Sequence, residues 1–343
     1  MPSCPAATTQ SFRAGDPHPA RRLHCRPEPS GTRLANVPAR TAHPLLTRRA
    51  RLAGVNSAPV PAPRLIVTGA GGQLGVALSA HAPDALALTR RDLDITDADA
   101  VRALLRPGDV VINCGAYTAV DAAETDAAAA FAVNETAPAR LAAACNAVGA
   151  NLIHLSTDYV FDGAGTRPYE PDDPAEPTTV YGRSKLAGER AVLRESPAAH
   201  VVRTGWLYTG DQRDFVATMR RLERERDTVS VVADQIGSPT YAHDLAAGLL
   251  ELAGRVVATD AVPPVLHASN SGQTTWFEFA RAVFSGLGAD PTRVRPCTSA
   301  EYPTPTRRPP YSVLSGRAWA AAGLTPLRHW RPALDDALRR LDR

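Results

Sequence analysis

Apolar residues along this chain gather into short runs, separated by stretches in which they recur every three or four positions. The first clear run is RLIVT, Arg64 to Thr68, a β-branched cluster of the kind that forms a strand buried on both faces. An alanine-rich stretch after it predicts a helix. Further runs occur at ALAL (Ala85 to Leu88), DVVINCGAYT, NLIHLSTDYVF and HVVRTGWLY. Between them, residues 125–148 and a segment around 178–195 predict helices. Strand and helix alternate over about 140 residues, which predicts an α/β fold with a Rossmann-like, doubly wound parallel sheet. No internal repeat is evident.

Length and composition narrow this reading little. A chain of 343 residues, 44% hydrophobic and 21% charged, suits a water-soluble protein with one large α/β domain or two fused lobes. Charge is more informative. Residues 1–63 carry nine arginines against Asp16 and Glu28, so the remaining chain has a net charge of −4 within a total of +3. A mildly acidic body argues against nucleic-acid binding. The leader is rich in Pro, Arg, Ala and Ser without helical or strand period. It is expected to be disordered, as a transit peptide or a basic arm, or to precede a true start near Val55. No apolar run reaches membrane-span length. Five scattered cysteines without metal spacing fit a reducing cytoplasm and no disulfide frame.

Candidate chemistry begins directly after the first strand, where Gly69, Gly72 and Gly75 follow Thr68 as T-G-x-x-G-x-x-G. Between a strand and a helix, such glycines allow a tight turn and let backbone approach a pyrophosphate at a helix N-terminus. After ALAL comes TRRD. Arg90 and Arg91 lean toward the 2′-phosphate of NADPH, with NADH left open, and serve equally as solvated loop residues. DLDIT puts Asp94 at a strand end, within reach of an adenine amine. Ser156 and Thr157 end the strand NLIHLST, at the edge where open α/β sheets bind ligands. In YGRSKLAGE, Tyr181 and Lys185 stand at i and i+4 on one face of a predicted helix. Lys185 is the only lysine in the chain, beside 37 arginines. Its compact ammonium is expected to lower the tyrosine pKa from about 10 and to hold nicotinamide ribose hydroxyls. Taken alone, the pair reads as a packed Tyr and a solvated Lys.

The segments TGAGGQLG, GAYTAVDAAE, AVNETAPARLA, LSTDYVFDG, YGRSKLAGE, VVRTGWLY, VADQIGSPTYAHDLA and TRRPPYSVLS run in order from residue 64 to about 315. Together they resemble the extended short-chain dehydrogenase/reductases and, within them, the dTDP-4-dehydrorhamnose reductase family. That resemblance implies hydride delivery from NADPH, or NADH, to the C4 ketone of dTDP-4-dehydro-β-L-rhamnose. Tyr181 would protonate the oxygen and Thr157 would hold it. Gly72, Gln73 and Leu74 would face the pyrophosphate, Asp94 and Ile95 the adenine, and Ala116, Tyr117 and Thr118 the nicotinamide. Asp158 and Trp206 would line the sugar, the indole offering its apolar face, and Arg308 would meet the substrate diphosphate. The nucleotide domain would span 64–205 with a return near 229–248, and a smaller C-terminal α/β lobe, 206–343, would bind substrate. The resemblance implies a cytoplasmic enzyme and a homodimer, and no metal is assigned. Leu314 and Ser315 depart from the usual Leu-Asp. Two rivals share the pattern: a non-catalytic regulatory subunit of the methionine adenosyltransferase type, and a sugar-nucleotide epimerase or dehydratase.

Overall fold

A computed structural model describes residues 63–211 and 214–341, and the expectations for residues 1–62 lie outside the described residues. Six strands form one parallel sheet: β1 (Leu65–Thr68), β2 (Leu86–Leu88), β3 (Val110–Asn113), β4 (Asn151–Thr157), β5 (His200–Thr204) and β6 (Val265–His267). Their spatial order is β2-β1-β3-β4-β5-β6. The chain steps outward from β1 to β2, then reverses across β1 to β3. That reversal opens a crevice beyond the carboxyl ends of β1 and β3, the place where doubly wound sheets take a dinucleotide.

The helices of seven or more residues are α1 (Gln73–His81), α2 (Ala98–Leu104), α3 (Ala137–Val148), α4 (Val180–Glu195), α5 (Phe215–Glu225), α6 (Ala242–Val257), α7 (Trp276–Gly286) and α8 (Trp330–Leu341). Leu74, Leu78, Leu245 and Leu249 from α1 and α6 cover one sheet face, against Val67, Ile112, Val202 and Leu266. Leu141, Cys145 and Val192 from α3 and α4 cover the other, against Ile66, Val111, Leu152 and Val201. Neighbouring strand residues thus point to opposite buried faces, which is why the strands read as unbroken apolar runs. Each such side chain, fully buried, contributes roughly 1.5–3 kcal/mol.

A second core lies among α5, α7 and α8, with Val216, Met219, Phe279, Val283, Leu334 and Leu338 at its centre. There Val229–Val232 pairs in parallel with Val294–Cys297. The return to the large sheet is made by α6 and β6, so it overlaps the expected 229–248 only in its last residues.

The alanine-rich stretch 125–148 is not one regular helix. Ala127–Phe131 is α-helical, Ala132–Thr136 widens to a π-helical turn, and α3 follows. Pro138 lacks the N–H that would bond back to Asn134, which interrupts the ladder there, and Ala137 donates to Ala132 instead. The freed turn matters to the site, because Asn134 lies in it.

Candidate active site

At the glycine loop, backbone packs directly on backbone. Gly69 has φ +70°, and a Cβ there would lie 2.6 Å from the Gly115 nitrogen; one on Gly75 would lie 2.5 Å from Ala70 Cα. Only glycine fits either position. Gly72 caps α1 without a capping side chain, so the first turn presents its positive end to the crevice with no anionic residue in it. This cradle fits a pyrophosphate. Leu74 sends its side chain into the core, leaving its backbone for the crevice. Arg90 is exposed just past β2, and its charge helps to hold the Asp94 carboxyl down. Asp94 corrects an expectation: residues 92–96 form no strand, and Asp94 Oδ1 accepts from the Thr96 amide (2.9 Å) and hydroxyl (2.7 Å) in an exposed turn. Those bonds hold its carboxyl below the usual range. Ile95 Cδ1 lies 3.3 Å from where a Gly115 side chain would start, so Ile95 packs beside the loop after β3.

Behind the crevice runs a buried polar chain. Asn113 Oδ1 accepts from Thr68 Oγ1 (2.8 Å) and from the Gly115 amide (3.0 Å), and Asn113 Nδ2 lies 3.0 Å from His154 Nδ1. It fixes the loop that carries Ala116, Tyr117 and Thr118. The Tyr117 backbone is clamped from the other side by Asn134, whose Oδ1 accepts from its amide (2.8 Å) and whose Nδ2 donates to its carbonyl (3.1 Å). Asn134 Nδ2 also reaches Ser184 Oγ on α4 at 2.9 Å. The sequence reading missed Asn134; its signal was an Asn four residues before a Pro inside an alanine-rich helix.

Thr157, the last residue of β4, and Tyr181, in the first turn of α4, are both buried and come together. Helix α4 is started by Thr179, whose hydroxyl accepts from the Gly182 amide (2.9 Å), and by Glu124, whose carboxylate accepts from the Val180 amide (2.8 Å). Tyr159 meets the Tyr181 ring edge-on at 5.6 Å. The expected depression of the Tyr181 pKa is absent. Burial pushes the phenol up, opposed by hydrogen bonding to Thr157. Lys185 does not point its ammonium at the phenol; Nζ donates to the Leu155 carbonyl at 2.6 Å. Burial brings Lys185 down to about 8, against the upward pull of Glu189.

Asp158 is only 2% exposed. Its Oδ1 accepts from Thr157 Oγ1 (3.0 Å), while Oδ2 has no hydrogen-bond partner, and burial pushes the carboxyl up to about 6. The carboxyl presses on Gly205, where an added Cβ would sit 2.6 Å from Asp158 Cγ. The Ser156 hydroxyl is likewise buried without a partner.

Trp206 follows Gly205 with φ +49°, strained for a bulky residue. Its indole stacks on Trp276 (3.5 Å between centroids, 5° apart). A Cβ on Gly237 would be nearly equidistant from Nε1, Cε2 and Cζ2, at 2.5, 2.3 and 2.6 Å, which places Gly237 over the indole. Both faces are therefore covered, and Trp206 presents an edge to the site where the sequence suggested a face. Arg308 is not free either. Its Nη2 donates to Asp121 Oδ2 at 2.7 Å, and the Thr306 amide donates to Asp121 Oδ1 at 3.2 Å. Arg307 and Arg308 border a cavity of about 360 Å³ that also touches Glu124 and Thr178. Ser315, where the family pattern has Asp, accepts at Oγ from the Arg317 amide at 3.3 Å. Among the described residues, no group of three or more His, Cys, Asp or Glu could hold a metal.

Residues 63–343 match a family model, the RmlD substrate binding domain. The chain belongs to this family. Among its relatives is a dTDP-4-dehydrorhamnose reductase of Mycobacterium tuberculosis, 58% identical over 284 residues, covering 80% of this chain and 92% of that one. The crystal structure of a dTDP-4-dehydrorhamnose reductase from Clostridium acetobutylicum superposes with a TM-score of 0.77 at 36% identity, covering 82% of this chain and all of the other. A dTDP-4-dehydrorhamnose reductase from Bacillus anthracis, solved in complex with NADP, gives 0.76 at 36% identity, covering 81% and 99%. RmlD-family membership agrees with the parallel sheet.

Proposed function

We propose that the chain is an NADPH-dependent oxidoreductase that reduces the C4 ketone of dTDP-4-dehydro-β-L-rhamnose to dTDP-L-rhamnose. The observation that carries this reading is the meeting of Thr157, Asp158 and Tyr181 at the carboxyl end of β4, in a chain 58% identical to a reductase of that name. Bound NADPH supplies the hydride. Gly69, Gly72, Gln73, Leu74 and Gly75 hold its pyrophosphate by backbone, Arg90 takes the 2′-phosphate, and Asp94 and Ile95 flank the adenine. Ala116, Tyr117 and Thr118 border the nicotinamide, and Lys185 holds its ribose.

The phenol of Tyr181, raised by burial, is protonated at neutral pH, which suits a donor to the oxygen formed at C4. Thr157, its hydroxyl released from Asp158 Oδ1, donates to the same oxygen, while Lys185 stays anchored on the Leu155 carbonyl. Asp158 and the Trp206 edge border the deoxyhexose, and Arg308, released from Asp121, meets the diphosphate. Neither an epimerase nor a regulatory subunit consumes NADPH on net, and that consumption separates the readings. The three described cysteines Cys114, Cys145 and Cys297 are unpaired, which suits a reducing cytoplasm. The reading extends to a homodimer, which size-exclusion chromatography with light scattering tests.

The test of function is loss of reduced-nicotinamide absorbance with dTDP-4-dehydro-β-L-rhamnose, using NADPH and NADH in parallel. Wild-type turnover that collapses in Tyr181→Phe supports the reading. Tight NADPH binding without turnover overturns it.

A further inference from the structure

At one place in the molecule a single buried guanidinium ties four elements together. Arg203 on β5 and Glu189 on α4 are 5% and 3% exposed. They form a two-point pair, Nε to Oε1 at 2.9 Å and Nη2 to Oε2 at 2.7 Å. Arg203 Nη1 donates to the Pro171 carbonyl at 3.2 Å and lies 3.4 Å from His267 Nε2 on β6. Its guanidinium also sits 5.1 Å from the centre of the Phe161 ring. On the sheet, Arg203 stands opposite Ser156, one position before the Thr157–Thr204 pair. On the helix, Glu189 lies one turn beyond Lys185 and two beyond Tyr181.

A buried ion pair is a weak device for stability, because desolvating both charges costs nearly as much as their attraction returns. A two-point geometry is a strong device for register. Here it locks the helix that carries Tyr181 and Lys185 to the strand pair that carries Thr157. It also sets a carboxylate beside an ammonium that burial would otherwise strip of its proton. We propose that Glu189, held by Arg203, is a positioning residue that keeps Lys185 charged and in register with Tyr181 and Thr157. This deepens the reductase reading and rests on it for the role of Lys185.

The other groups that act on Lys185 do not compete in the working pH range. From the loop after β3, Cys114 is a thiol pushed up to about 12 by burial. From β4, His154 is held neutral by burial, and the Leu155 carbonyl carries no charge. His267, which faces Arg203, is pulled down to about 3.

Because Lys185 is the only lysine, protein grown on lysine labelled with carbon-13 at Cε gives one side-chain signal, and its pH titration reads this group directly. The wild-type midpoint is expected near 8. In Glu189→Gln it is expected to fall by about one pH unit, and in Glu189→Asp, which keeps the charge but withdraws it, by less. Steady-state rates should follow: the Gln variant loses roughly 5-fold in kcat/KM near pH 8, approaching 10-fold at higher pH, and recovers nearly all of it near pH 6. A structural defect alone would lower the rate equally at both. An unchanged titration midpoint in the Gln variant overturns the proposal. If that variant does not fold, an unchanged midpoint in Glu189→Asp does so. Failure of wild type to turn over sugar nucleotide would strike the functional reading alone, since the titration needs no substrate.

Discussion

Replacing Asp158 by Asn should make the protein more stable and less active. The carboxyl is buried, one of its oxygens has no partner, and its pKa is pushed from 3.8 up to about 6. A group raised in the folded state binds its proton more tightly there than in the unfolded chain. Stability therefore falls as pH rises from about 4 to about 6 and stays low above that. A difference of roughly two pKa units at 1.36 kcal/mol each amounts to about 3 kcal/mol of destabilisation at neutral pH. Asparagine keeps the shape and the acceptor for Thr157 Oγ1 (3.0 Å) and removes the charge. Melting followed by intrinsic fluorescence should place the variant roughly 6–12 °C above wild type near pH 7.5. That gap should close as pH falls from 6 to 4, and turnover should drop at least tenfold. An Asn variant less stable than wild type at pH 7.5, or a gap that does not change with pH, would refute the reasoning.

Gly188→Ala should lower the melting temperature by several degrees, because its Cβ would lie 2.0 Å from the Asn134 carbonyl oxygen and the overpacking, about 1–3 kcal/mol, exceeds the gain in helix propensity. NADPH affinity by fluorescence titration should fall with it, since Asn134 holds Tyr117. Asp121→Asn should cost under about 1 kcal/mol in denaturant melts, as its partner Arg308 is part-exposed, yet change the KM for sugar nucleotide several-fold while leaving the KM for NADPH alone. Trp276→Ala, which removes the stack under Trp206, should raise the KM for sugar nucleotide and cost about 3 kcal/mol in the same melts. Lys185→Arg should reduce kcat at least a hundredfold, because a broad guanidinium cannot take the 2.6 Å bond to the Leu155 carbonyl within a buried slot.

Strand positions were legible because they depend on local pattern, whereas the pairing of Thr157 with Tyr181 came only from the family resemblance. Apolar runs buried on both faces announce parallel strands, and T-G-x-x-G-x-x-G needs only its own strand and helix to be read. What the sequence hid depends on partners far along the chain. The two-sided cover of Trp206 comes from Trp276 and Gly237, seventy and thirty-one residues away. Arg308 meets Asp121 from the far end of the molecule, a pairing with no local trace. The Tyr181 shift follows from the depth of burial, which spacing on a helix does not report. Asp94 was misplaced for a smaller reason: DLDIT alternates like a strand, but Asp94 closes a turn on Thr96 instead.

The outer strand β6 arrives at Val265–His267, after the chain has already supplied part of the second core. Its pairing with β5, and the cover that α6 lays over β1 and β3, mean that the nucleotide half has no contiguous gene fragment. A ribosome must deliver about two hundred residues beyond β1 before that sheet has both its edges, so folding during synthesis waits on the C-terminal third. Truncations anywhere before His267 should yield aggregates in place of a free-standing cofactor domain, and swapping substrate modules between relatives would require two joints, one on each side of α6 and β6.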